Sequence, residues 1–251
     1  MANGTNDAEV VFFDAAGTLF EVRGSVGEIY SAVARRHGVH VPAAELDRSF
    51  DAAFRIQSAE GLARAGAGAE AEKEWWRRLV RQVFGTRMPP GVFPDFFDEV
   101  YEVFRTSRAW VLYEDTIPAL KLLRSRGCRL GVISNFDSRL EDVLYGLGIG
   151  GYFERVIFSW QVRSAKPDGR IFRHALALMG VGPPDALHVG DSLDEDVRGA
   201  RGAGMRAVLL DRSGRHRRWH GGPRIESLGE LGALCAGPPG AGRFRWRRPD
   251  A

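Results

Sequence analysis

The chain is poor in several features by which a sequence announces its class. Cysteine occurs twice in 251 residues, as Cys128 and Cys235. The two have no metal-ligand spacing and form no disulfide framework. Cys128 opens an apolar run, where a free thiol behaves as a small hydrophobe. Long apolar runs are missing too, since none approaches the roughly 20 residues that cross a bilayer. The polar, acidic stretch from Met1 to Glu9 has no signal-peptide core. A cytoplasmic chain without a membrane partner is the expectation. Lysine is nearly absent: Lys73, Lys121 and Lys166 are the only three, and arginine supplies the remainder of the 35 basic residues. The net charge is +3; a bias to arginine of this kind can come from the coding genome rather than function, so no nucleic-acid partner is read from it.

What is present is enough for one large α/β domain and a smaller one, with 44% hydrophobic residues to build a core. The organising stretch is Val10-Val11-Phe12-Phe13-Asp14-Ala15-Ala16-Gly17-Thr18. Its apolar run reads as a buried parallel strand that stops at a carboxylate. In open α/β sheets that end of a strand is where ligands bind.

Residues 21–111 read as a helical insertion. Ser25 and Glu28 form a capping box, and the helix it starts runs to Gly38. Further helices are expected over 43–56, 70–84 and 96–104, with an Ala/Gly-rich loop at 61–69 and no strand. The Trp75-Trp76 pair is assigned to packing. From Tyr113 the pattern changes. Strands at 129–134, 155–159, 186–190 and 207–210 alternate with helices at 116–126, 137–146, 168–179 and 194–203. This predicts a doubly wound parallel sheet, a Rossmann-like core built from 1–20 and 112–235 and interrupted by a helical cap at 21–111. The Arg-rich stretch 212–218 reads as a solvated loop, 225–234 as a last short strand and helix, and the Gly/Pro/Arg-rich tail 236–251 as disordered.

Three further strand ends carry polar groups. Ser134 and Asn135 follow Leu130-Gly131-Val132-Ile133. Lys166 lies in Ser164-Ala165-Lys166-Pro167-Asp168, a compact ammonium in a chain that otherwise prefers guanidinium. The fourth end is His188-Val189-Gly190-Asp191-Ser192-Leu193-Asp194-Glu195-Asp196. Three of its carboxylates suit a helix N-terminus, whereas Asp191 precedes that turn and suits a hard cation.

In order and spacing, these four stretches resemble the motifs of the haloacid dehalogenase (HAD) superfamily, over roughly residues 10–211, with a C1-type cap at the insertion. Ile133-Ser134-Asn135-Phe136-Asp137 and Trp75-Trp76 are similar to the haloacid dehalogenase-like hydrolase domain-containing 3 group. The resemblance implies Asp14 as a nucleophile that forms an aspartyl phosphate. It implies Ser134 and Lys166 as phosphoryl-binding groups, with Asn135 and the Ala15-Ala16 turn beside them. Asp14, Asp191 and the Ala16 carbonyl would hold Mg²⁺, and Asp196 would orient Lys166 or the metal's waters. The substrate would be a small phosphorylated metabolite.

The sequence departs from the superfamily at Ala16. The usual first motif, Asp-x-Asp-Gly-Thr, has there the general acid and base of its phosphatases, worth about 10²–10⁴-fold. Four readings follow: a Mg²⁺-dependent phosphatase that is slow or limited to good leaving groups; a phosphonatase-like hydrolase, which needs a cap lysine and has only Lys73; a 2-haloacid dehalogenase, against which Gly190-Asp191 argues; and a catalytically weak phospho-ligand or partner-binding protein. The sequence does not set the oligomeric state.

Overall fold

The computed structural model describes residues 7–64, 68–234 and 244–245. Its centre is β1, Val10–Phe13, whose four residues are all buried. A strand covered on both faces needs apolar residues at every position rather than alternation, which is why the run is continuous. The other strands of the sheet are β2 (Arg129–Ser134), β3 (Arg155–Phe158), β4 (Ala186–Gly190), β5 (Arg206–Leu210) and β6 (Arg224–Ile225), in the order β3-β2-β1-β4-β5-β6. Every pairing is parallel. In this order β1 is flanked by β2 and β4, and the strand order reverses beside it. Open α/β sheets bind ligands in the crevice at such a switch point.

The longer helices are α1 (Val26–Arg36), α2 (Ala43–Arg64), α3 (Ala69–Phe84), α4 (Phe93–Arg105), α5 (Thr116–Ser125), α6 (Arg139–Gly146) and α7 (Gly169–Met179). One face of the sheet packs on α7. Val10, Phe12, Ile133 and Ile157 share a buried cluster with Ile171, Phe172 and Ala175. α1 begins at the Ser25–Glu28 capping box. In α4, Phe93, Phe96, Phe97 and Val100 are buried, the i, i+3, i+4, i+7 stripe of a helix with one inward face.

Contacts divide the chain into two units. One holds the sheet, with residues up to Glu21, Leu112–Phe136 and from Gly148 onward; the other is helical and combines Val22–Val111 with Asp137–Leu147. α6 therefore belongs with the helical unit, whereas sequence alone places it in the α/β core. Its anchor is the Asp137–Arg139 ion pair, 2.6 Å and buried. Trp76 Nε1 donates to the Asp137 carboxylate. The Arg139 guanidinium lies 4.6 Å from the Trp76 ring centre and 4.4 Å from that of Tyr101. Glu72 accepts the Ser138 N–H at 3.0 Å.

Other local departures have physical causes. Helix α2 continues to Arg64 through alanines that favour helix over loop. Phe20–Val22 and Trp110–Leu112 pair as a two-stranded sheet; these three-residue strands are too short for a periodicity to register. The expected helix over 194–203 starts as an i→i+5 turn, Leu193–Arg198, and only then becomes the short helix Gly199–Gly202. Phe244–Arg245 pair with Asp7–Ala8; the rest of the expected disordered tail, and Cys235, lie outside the described residues. No helix among the described residues is long and apolar enough to cross a membrane.

Candidate active site

Asp14 stands one residue beyond β1. Its backbone N–H donates to Val189 O of β4 at 2.9 Å, so the ladder holds the residue one step past the strand. The chain then turns sharply. Ala15 O accepts from the N–H groups of Thr18 and Leu19, and Gly17 takes φ 90°. A Cβ on Gly17 would lie 2.8 Å from Asp191 Oδ2. Only glycine satisfies both the left-handed backbone and the approach of the second carboxylate. Ala15 is buried and Ala16 is exposed on this turn.

Ser134, the last residue of β2, donates from Oγ to Asp14 Oδ1 at 3.0 Å. Lys166 is buried, and its Nζ donates to Asp14 Oδ1 at 2.6 Å and to Asp196 Oδ1 at 2.5 Å. Asn135 holds the lysine's backbone: its Oδ1 accepts from Lys166 N at 2.7 Å and its Nδ2 donates to Lys166 O at 3.0 Å. The same Nδ2 also donates to Glu195 Oε2 at 3.1 Å. The Asn135 amide is thus committed to the protein in this state, although the resemblance places it beside the phosphoryl group.

The wide turn after Ser192 aims Asp196 back at the sheet. Both Asp196 N and Val197 N donate to Ser192 O, while Ser192 N donates to Asp196 Oδ2 at 2.9 Å. The Asp196 side chain occupies the space a Cβ on Gly190 would need, coming within 2.1 Å of it. Carboxylate oxygens of Asp14, Asp191 and Asp196 all lie within 4.8 Å of one another. The structure therefore brings Asp14, Ser134, Asn135, Lys166, Asp191 and Asp196 to one edge of the sheet, as strand ends and the loops after them predict; Lys166 is reached only after the short helix Ser159–Val162 beyond β3.

The charges here do not balance. Lys166 pairs with Asp14 and Asp196, so three carboxylates share one ammonium. Two like charges about 5 Å apart repel by roughly 3–4 kcal/mol at the effective dielectric typical of proteins. Burial, then Asp14 and Asp196, push the Asp191 carboxyl up to about 7. Burial also raises Asp14, against the pull of Lys166. Burial alone would raise Asp196, but Lys166 and the His188 hydrogen bond outweigh it and hold its carboxyl below the ordinary range. Lys166 loses from burial and gains more from its two carboxylates, so it stays protonated above the usual lysine range.

Hard oxygen donors converging with excess negative charge are the donor set a small divalent cation takes. Asp196 is already engaged at both oxygens, by Lys166 and His188 and by Ser192 N. Asp14 and Asp191 are the carboxylates that would hold the ion.

A pH dependence follows. Asp191 keeps its proton in the folded chain up to about pH 7, whereas the unfolded chain releases it near 4. The metal-free fold is therefore expected to lose stability as pH rises through that window. Cation affinity should run the other way, weakening about tenfold per pH unit below 7 because proton and metal compete. Urea unfolding with chelator and calorimetric Mg²⁺ titration, each across that range, measure both. Asp191→Asn should reduce the first, leaving the share of Asp14 and Glu195, whose carboxyls burial also raises, and abolish the second; a wild type already flat in both would contradict the site.

His188 is the residue that sequence reasoning did not assign. It is fully buried on β4, and its Nε2 lies 2.9 Å from Asp196 Oδ1. The signal was a polar side chain inside an otherwise apolar strand. Lys73, the helical unit's only lysine, pairs with Asp98 at 2.8 Å and is one-third exposed. A Schiff-base lysine needs a desolvated amine instead.

The haloacid dehalogenase-like hydrolase family matches residues 8–204. The chain belongs to that family. As a haloacid dehalogenase-like hydrolase it is similar to haloacid dehalogenase-like hydrolase domain-containing protein 3 of Bos taurus, 38% identical over 202 residues, covering 79% of this chain and 80% of that one. The Homo sapiens counterpart is 36% identical over 201 residues, with the same coverage. Among solved structures, a HAD phosphatase from Thermococcus onnurineus aligns with TM-score 0.60 and 27% identity over 92% of this chain and 99% of that one. The L-2-haloacid dehalogenase of Xanthobacter autotrophicus aligns with TM-score 0.70 and 19% identity over 90% and 98%, a likeness of fold.

Proposed function

We propose that this hydrolase is a Mg²⁺-dependent phosphatase acting on a small phosphorylated metabolite through an aspartyl phosphate at Asp14. The observation that carries the reading is Asp191, a third carboxylate within 4.8 Å of Asp14 that the Lys166 ammonium does not pair. A metal-free dehalogenase has no use for that charge.

In this reading an Asp14 oxygen attacks phosphorus, and the bond to the leaving oxygen breaks. Water then opens the aspartyl phosphate and regenerates the carboxylate. Ser134 Oγ and Lys166 Nζ, which donate to Asp14 in the resting protein, turn their donors to the phosphoryl oxygens. Bound Mg²⁺ supplies charge neutralisation for the incoming dianion, the dominant demand of phosphoryl transfer. Asn135 keeps the Lys166 backbone in place while its side chain works. At Ala16 there is a methyl group and no proton donor.

Ala16 favours a second reading, a 2-haloacid dehalogenase, in which no acid is needed at that position. One panel separates the two. Phosphate esters, phosphonates and 2-haloacids are assayed before and after dialysis against chelator, then with Mg²⁺ restored. Phosphate release that vanishes with chelator and returns with Mg²⁺ is the expected result. Halide release indifferent to chelator would establish the second reading. Binding of phosphorylated ligands without turnover of any class would leave a ligand-binding protein.

A further inference from the structure

We propose that His188 is a positioning residue for Lys166, acting through Asp196; the kinetic part of the idea rests on the phosphatase reading. The geometry is a continuous buried line. His188 Nε2 lies 2.9 Å from Asp196 Oδ1, that oxygen lies 2.5 Å from Lys166 Nζ, and Nζ lies 2.6 Å from Asp14 Oδ1. An ionised carboxylate only accepts, so Nε2 carries the proton of the first link. Nδ1, on the other side of the ring, has no hydrogen-bond partner among the described residues. The imidazole is therefore held by this one polar contact and by packing, with the Phe172 ring edge-on at 5.3 Å.

Such a residue is costly to keep in an inner strand of a sheet. An apolar side chain would fill the site without a bare ring nitrogen. What the imidazole adds is a second donor to the oxygen that Lys166 also binds. Lys166 sits between two carboxylates at nearly equal distance, and the balance between them sets where its third N–H points to meet a phosphoryl oxygen. With His188 sharing Asp196 Oδ1, that oxygen is partly satisfied and fixed in direction, and the ammonium stays shared with Asp14. Without the donor, Asp196 takes Lys166 for itself.

The test uses the full chain with Phe or Met at His188, both lacking the donor, and with Gln, whose side-chain amide reaches the Nε2 position. His188→Phe is expected to lower kcat for an aryl phosphate about 10- to 100-fold, the scale of one hydrogen bond to a charged group. KM should be nearly unchanged, and His188→Gln should regain most of the loss. His188→Met replaces the Phe variant if that one does not fold. A second readout needs no turnover. The chain has three lysines, so ¹⁵N-lysine labelling resolves the Lys166 ammonium against Lys73 and Lys121 as internal references. The donorless variants should shift the Lys166 signal alone, and Gln should return it toward wild type. An unmoved Lys166 signal, or wild-type kcat in a folded donorless variant, overturns the proposal. A wild type inactive on every phosphate ester removes the phosphatase reading instead, and the lysine signal then decides the His188 link by itself.

Discussion

Asp14→Asn is expected to leave a folded protein whose phosphatase turnover is lower by roughly 10⁴-fold or more, the scale seen when a covalent nucleophile is removed. The amide matches the carboxylate in shape but attacks phosphorus poorly. Folding should survive for a reason visible in the charges. Breaking a buried ion pair usually costs about 3–5 kcal/mol because a charge is stranded. Here Lys166 keeps Asp196 as a partner at 2.5 Å. The substitution also relieves repulsion among three carboxylates, and burial already disfavours the ionised form of Asp14. A group whose folded pKa is raised costs stability above that pKa, so the metal-free variant should melt at or above wild type near neutral pH. Turnover of an aryl phosphate with Mg²⁺ and thermal unfolding in chelator are the two measurements. Full activity in Asp14→Asn would remove the covalent mechanism. A collapse of the fold would mean that the Asp14–Lys166 pair outweighs the repulsion.

The second large effect concerns the proton missing at Ala16. With no acid on the turn after β1, the leaving oxygen must depart with little protein help. Activity should then fall steeply as that oxygen becomes more basic: aryl and acyl phosphates are cleaved, and alkyl and sugar phosphates barely. Ala16→Asp should restore part of the roughly 10²–10⁴-fold acid–base contribution, mostly for alkyl esters. Ala16 is exposed on its turn, so a carboxylate has room, although placement errors of an ångström erode such gains. The measurement is kcat/KM across esters of graded leaving-group pKa, for both proteins. Equal wild-type rates on alkyl and aryl esters would refute the idea and point to another proton donor.

The legible parts of this molecule were those written in contiguous residues. Strand β1 could be read because burial on both faces demands four apolar residues in a row, and Gly17 and Gly190 mark places where two carboxylates come too close for a Cβ. The convergence of Asp14, Ser134, Lys166 and Asp191 followed from strand ends and the loops after them, because parallel strands share one carboxyl edge; Lys166 itself stands past the short helix Ser159–Val162 that follows β3. His188 was not legible in the same way. Its partner Asp196 lies eight residues on, and only the wide turn at Leu193–Arg198 folds that carboxylate back over the strand. The commitment of Asn135 to the Lys166 backbone was equally hidden, since 31 residues separate them. Assignment of α6 failed because alternation of strand and helix says where elements begin, not which body they pack in.

That last point bears on how the two units could be exchanged. The helical unit is made of two stretches, Val22–Val111 and Asp137–Leu147, so the polypeptide passes between the units four times. Cutting out 22–111 and closing the gap would not yield a clean catalytic half. It would strand Asp137 and Arg139, a charge pair that Trp76 and Tyr101 now wrap, and strip Ser138 of Glu72. Any graft that gives this hydrolase a different helical unit has to carry a matching second insert just after Phe136.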